Sequence, residues 1–245
     1  MPNFALKTSR PPWRGSPLNI VEPMVTAREA ETTKERLLRA GERLFAVHGI
    51  HRVRLREINA LAGQRNASAL HYHFGSRDGL VVAILSAHQT AMDEHLRPAL
   101  HELESSPSIQ AIVAANVEAL ARELETESGR DFLRILPQLI DLMSSPLRGG
   151  AQPEARSAQT ARTLSLLEQC MSDVPVAVRR ERLVAYALFL TSLFAERATL
   201  IEAGDRLLLN SAEFVAHVTD VVCGALEAPS TVDPDAAMLS ESVPR

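Results

Sequence analysis

From Thr32 to about residue 227 the apolar residues return every three or four positions, and the alternation by two that builds strands is almost missing. That period commits the chain to helices packed on one another, because a helix hides its apolar stripe only against another element. Leu37, Leu44, Phe45 and His48 share a helical face, with Thr32 or Thr33 placed to cap the helix and Gly49 to stop it. A short segment over 54–61 ends at Ala62-Gly63, and a second, Asn66 to Phe74, breaks at Gly75. Ser76 then caps a long helix carrying Val81, Ile84, Leu85, His88, Met92 and Leu96, and Pro98 and Pro107 punctuate the stretch after it. Further helices are expected over 109–126, 130–144 with a kink at Pro137, and 154–172 after the loop SSPLRGGAQP. Val176 to Ala203 is apolar nearly all round between Leu183 and Phe194; Asn210 caps a last helix striped by Phe214, Val215, Val218, Val221, Val222 and Ala225. The fold class is all-α, with no internal repeat.

The ends differ from this middle. Residues 1–27 hold five prolines and the one tryptophan, so they are expected to be a disordered extension, with Met24 a second candidate start. Residues 228–245 are expected to be a flexible tail. Cys170 and Cys223 are too few for a disulfide framework or a four-ligand zinc site. The longest charge-free apolar run, Leu183 to Ala195, is too short to span a bilayer, so no membrane partner and a cytoplasmic location are expected.

Charge is uneven along the chain. Residues 28–80 carry ten Lys/Arg against six Asp/Glu, whereas 81–245 carry 13 against 23. A basic block on an acidic body points to a nucleic-acid contact at one end. Within that block, two short helices joined by a tight turn form a helix-turn-helix pattern, the arrangement that lays one helix in the major groove while another braces it. Arg52, Arg54, Arg56 and Arg65 lie where phosphates would run, and Asn66, Ser68, His71 and Tyr72 could reach base edges and phosphate oxygens.

The segments TKERLLRAGERLFAVHG and LREINALAGQRNASALHYHFGSRDGL, over roughly residues 32–82, resemble the N-terminal DNA-binding domain of the tetracycline-repressor (TetR) family of bacterial transcription regulators. The Leu-x-Tyr-His-Phe pattern at Leu70–Phe74, followed by Gly75-Ser76, Arg77 and Leu80, carries the likeness. The resemblance implies a three-helix helix-turn-helix domain over 28–80, then a larger helical ligand-binding and dimerisation domain over 81–227. It also implies that Asn66 to His73 is the recognition helix, with Asn66 as its cap, Tyr72 on the DNA backbone and Arg77 near a phosphate. Leu70 and Phe74 would be core, and Thr33 joins the DNA-binding set. Three departures stand out: a turn one residue longer at Gln64-Arg65-Asn66, Arg54 in place of a capping Thr or Ser, and Ala69 where Thr is common.

For the remainder, His88, Met92, Phe132, Leu136, Ile140 and Met143 are candidate lining for an apolar or amphipathic small-molecule effector, although the same spacing suits plain core. Leu190, Phe194, Phe214, Val218, Val221 and Val222 are candidates for a homodimer interface, the alternative being a central helix of a monomeric bundle. No metal or cofactor is expected: His71 and His73, two apart on a helix, do not share a face. The cluster Asp93-Glu94-His95 with His101-Glu102 reads as a solvated face, and Cys223 as a buried thiol. No phosphate loop, nucleophile elbow or zinc-protease motif is present. The expected function is a one-component repressor that binds a near-palindromic double-stranded operator and is released by an effector. A DNA-binding module without an effector and an all-α enzyme are the alternatives.

Overall fold

The helix starts come from short polar side chains. In the computed structural model, which describes residues 32–66, 68–139 and 157–232, every regular element is helical. The elements are α1 (Thr33–His48), α2 (Leu55–Leu61), α3 (Ala69–Phe74), α4 (Arg77–Glu102), α5 (Ile109–Glu123), α6 (Glu127–Ile135) with a 3-10 turn (Leu136–Leu139), α7 (Ala158–Cys170), α8 (Val176–Ala203) and α9 (Ser211–Glu227). Thr32 and Glu35 form a capping box on α1, and Asn210 and Glu213 form another on α9. Ser76, Ser108, Thr126 and Ser157 each accept a hydrogen bond from a first-turn amide of α4, α5, α6 and α7.

Several expected boundaries move, each for a local reason. Thr32, not Thr33, is the α1 cap, and Thr33 sits in the first turn, accepting from the Arg36 guanidinium. α3 begins at Ala69, because the Asn66 side chain turns back to accept from the Ser68 amide instead of capping a helix that starts there. α5 stops at Glu123, and α6 starts at Glu127 with Gly129 inside its first turn. Pro137 does not kink a long helix: α6 ends at Ile135 and the chain tightens into the 3-10 turn. Pro98 is carried inside α4, where buried Leu96 and Leu100 flank it. The expectations for residues 1–27, Met24, the loop SSPLRGGAQP, Ile140, Met143 and the tail beyond residue 232 lie outside the described residues.

α9 packs on α5 and α8, and α6 lies between α1 and α8, so one continuous core runs from the N-terminal helices into the body. Phe45, Phe132 and Phe194 are fully buried in it. The residues expected at a dimer interface divide unequally. Leu190, Phe194, Phe214, Val218 and Val222 all face this core, and Phe194 meets Phe214 edge-on at 5.3 Å. They are therefore unavailable to a second copy, and only Val221 of that set is exposed. The exposed large apolar side chains of α8 are Val176 at its start and Leu188 and Phe189 at mid-helix. α8 is the one helix among the described residues long and apolar enough to cross a membrane, and Leu183, Val184, Tyr186, Leu190 and Phe194 use that apolarity inside the core.

Tyr186 is buried, and its hydroxyl has no hydrogen-bond partner among the described residues. Phe194→Ala is expected to destabilise the fold by about 3–5 kcal/mol. Tyr186→Phe, which removes an unpaired buried hydroxyl, is expected to leave stability unchanged or raise it. Chemical denaturation of both variants checks the contrast, and a loss above about 1 kcal/mol for Tyr186→Phe would show that its hydroxyl is bonded.

Candidate nucleic-acid interface and the seam behind it

The first three helices close on the N-terminal end of the shared core. Leu37 and Phe45 of α1, Ile50 and Val53 of the following loop, Ile58 of α2, Leu70 of α3 and Leu80 of α4 are all buried. Seating α3 by Leu70, with Phe74 half-buried against the same core, leaves the opposite side of that helix in solvent. Tyr72 is 84% exposed there, and His71 is exposed beside it. Ser68, Asn66, Arg65, Arg54, Arg52 and Arg56 are also exposed, so the polar and basic set is available on the surface.

Two glycines let α3 and α4 meet closely. Gly75 ends α3 at φ +72°, a conformation that strains any residue with a Cβ. A Cβ on Gly79 would lie 2.0 Å from the Phe74 carbonyl oxygen, so the first turn of α4 can lie against the end of α3 only with glycine there.

Arg77 has a different task from the one expected. Its guanidinium donates to the carbonyls of His51 at 3.0 Å and Val53 at 2.6 Å, and the side chain is half-buried. It ties the start of α4 to the loop between α1 and α2, bracing the head from within. Arg54 caps α2 by its backbone only: its amide donates to Glu57 at 2.9 Å, leaving the guanidinium exposed.

Behind this head, α1 is bonded to the body through buried charge. His88 of α4 lies between two carboxylates, with Nδ1 2.7 Å from Glu123 of α5 and Nε2 3.1 Å from Glu42 of α1. Glu42 also accepts from Ser128 at 2.8 Å and from Arg39 at 3.3 Å. Burial alone would pull the imidazole pKa down, but hydrogen bonds and attraction from Glu123 and Glu42 outweigh it and push it up to about 9. A second cluster joins Arg43 of α1 to Asp131 and Glu202, with Arg130 donating to Glu202 at 2.6 Å. Ile50 adds a backbone bond to Gln138 at 2.9 Å.

Residues 37–84 match the family model described as bacterial regulatory proteins, tetR family. Over those residues the head of the chain is of the tetR type. The HTH-type transcriptional repressor NicS of Pseudomonas putida is 26% identical over 142 residues, which cover 58% of this chain and 60% of that repressor. The chain therefore matches less than two thirds of the length of its curated relative. A TetR-like transcriptional regulator from Rhodococcus sp. RHA1 superposes with a TM-score of 0.53 at 16% identity, covering 82% of this chain and 98% of that one. SmeT, the repressor of the Stenotrophomonas maltophilia multidrug efflux pump SmeDEF, gives 0.52 at 16% identity, covering 83% of this chain and 96% of that one. These two show that the tetR-type fold extends through the larger helical part.

In that larger part, α4, α5, α6 with its 3-10 turn, α7 and α8 line a cavity of about 110 Å³. Met92, Phe132 and Leu136 line it as the sequence suggests, and Leu190, expected at a dimer interface, lines it too. His88 does not line it. The imidazole stacks on the Phe132 ring at 4.1 Å, and it borders a separate cleft at the seam with Glu42 and Glu123. Sequence reasoning missed Gln89, Asn116, Thr163 and Thr191 as lining residues. Their only available signal was a polar residue recurring on otherwise apolar helices.

This geometry sets two expected outcomes. Arg77→Ala is expected to lower stability by about 1–3 kcal/mol as two carbonyls lose their donor, whereas Tyr72→Ala stays within about 0.5 kcal/mol of the parent chain. Equal melting curves for the two variants would contradict the bracing role. Because the folded His88 pKa lies above its ordinary 6.5, its stabilisation is complete below about pH 6.5 and is lost as pH rises through about 9. Urea denaturation at pH 6 and pH 9.5 should show a loss on the order of a few kcal/mol, largely absent in His88→Gln. A parent chain equally stable at both pH values would contradict it.

Proposed function

We propose that the chain is a dimeric, cytoplasmic transcriptional repressor that reads a near-palindromic double-stranded operator with α3 and leaves it when a small molecule occupies the cavity. The observation that carries this reading is the exposed face of α3, with His71 and the 84%-exposed Tyr72 on a glycine-closed brace inside the segment that matches the tetR family model. His71, Ser68 and Asn66 serve base edges and nearby phosphates, while Tyr72, Arg54, Arg65 and Thr33 hold the backbone. Arg77 acts by fixing the loop beneath them. Two heads set roughly 34–36 Å apart would enter successive major grooves.

The exposed Leu188 and Phe189 of α8 and Val221 of α9 are the side chains we assign to contact with a second copy, in place of the core residues of the same helices. Release would pass through Phe132, which lines the cavity and stacks on His88. His88 in turn holds Glu42 on α1 of the head. A ligand that shifts Phe132 therefore changes how the head is held. Turning the population from 1:99 to 99:1 requires about a 10⁴-fold preference for the released state.

Fluorescence anisotropy against DNA from upstream of the protein's own gene, with a scrambled duplex alongside and across a salt series, tests the reading. Selective binding that saturates at two chains per site is expected; Tyr72→Ala should weaken binding to both duplexes with little change in salt slope, and Arg54→Ala should lower the slope by about 1. Absence of binding to either duplex at low salt would overturn it.

A further inference from the structure

The wall of the cavity is chemically one-sided. Among the described residues none of its lining side chains is charged, and Leu85, Met92, Leu96, Phe132 and Leu136 give much of its surface. The polar side chains in the wall are mostly occupied within the protein. Asn116 donates to the Ile112 carbonyl at 2.8 Å and is bonded to Thr163; Thr191 donates to the Ala187 carbonyl at 2.8 Å; Thr160 is bonded to Ser157. The Tyr186 ring lines the wall, but its hydroxyl oxygen is sealed from the space. Gln89 remains, half-buried on α4, with its amide not bonded to any described residue.

A charge placed here would lose its water and meet no counter-charge, since the ionic clusters at His88 and at Asp131 are already paired. Size is equally restrictive. A cavity of roughly 150 Å³ with aliphatic and aromatic walls accepts one benzene-sized ring. The present volume, about 110 Å³, suits a molecule of that order and no larger unless the helices part.

We propose that the cavity takes an uncharged, compact molecule of about one ring, mostly hydrocarbon, with one hydrogen-bond acceptor directed to the Gln89 amide. This rests on the reading of the chain as an effector-released regulator and names the class of effector. An anionic ligand of the same size would meet no counter-charge among the described wall residues.

The test uses the full chain without DNA and three ring-sized probes: cyclohexanone, its hydrocarbon counterpart methylenecyclohexane, and benzoate. Binding is followed by ligand-observed NMR and by the shift in melting temperature. Cyclohexanone is expected to saturate and raise the melting temperature, methylenecyclohexane to bind about three- to ten-fold more weakly, and benzoate not to saturate. Gln89→Leu should bring cyclohexanone down to the hydrocarbon's affinity and leave the hydrocarbon's own unchanged. Ala187→Phe, which fills the wall, should abolish binding of both, and its melting curve reports whether it folds. Benzoate binding as well as cyclohexanone, no saturable binding of either neutral probe, or a cyclohexanone affinity untouched by Gln89→Leu would each overturn the assignment. The duplex titration stands apart from these readings. If the parent chain binds its duplex and no neutral probe, the ligand class fails and the regulator reading stands; if neutral probes bind and no duplex does, the reverse holds.

Discussion

A buried imidazole ties the head of this molecule to its body, beside the apolar core that the two share. His88 reaches Glu42 on α1 and Glu123 on α5 from opposite sides of one ring, so three helices meet at a single buried charge system. Removing three ionisable groups from water is costly, and the cost is offset only because each is hydrogen-bonded to another: Glu42 gains Ser128 and Arg39 in addition to the imidazolium. The seam is consequently polar and specific, unlike the greasy contacts inside the body. It fixes one angle of approach for α1, where an apolar seam would let the helix slide. Arg43, Asp131 and Glu202 support the same seam closer to solvent, where each bond counts for less.

The position of this imidazole gives the fold its functional logic. Phe132 lies flat against it at 4.1 Å and also lines the cavity. α4 begins on the reading head at Ser76, passes through His88 and reaches the cavity at Met92 and Leu96. The same helix therefore touches the head, the charged seam and the cavity wall. Met92 and Ala119 belong to both the cavity and the outer cleft at the seam, so the two spaces share a thin partition. Small displacements in the wall have a short route to the head because well-packed interiors transmit strain.

Much of this is legible in the residues alone. The helical period, the capping Ser, Thr and Asn side chains and the glycine stops give the element order, because they act within a few positions of one another. The exposed face of α3 follows from Leu70 and Phe74 being its seated side. Sequence hides the direction of side chains that answer to distant backbone. Arg77 resembles a phosphate contact until the carbonyls of His51 and Val53 are placed beside it. On α8, apolar nearly all round, periodicity cannot say which face turns inward, so Phe194 and Leu190 read as outward while Leu188 and Phe189 are the exposed pair. His88 reads as a polar handle in a pocket, since nothing local announces carboxylates 46 and 35 positions away.

The central claim is that protonated His88 keeps the head docked on the body. Hydrogen–deuterium exchange at the amides of α1, α2 and α3, compared with those of α5 and α9, tests it most directly. With intrinsic rates corrected, head amides are expected to lose protection between pH 6.5 and 9.5 while α9 amides keep theirs, and His88→Gln to show the looser head at both pH values. Head protection that is unchanged by pH and identical in His88→Gln would contradict it.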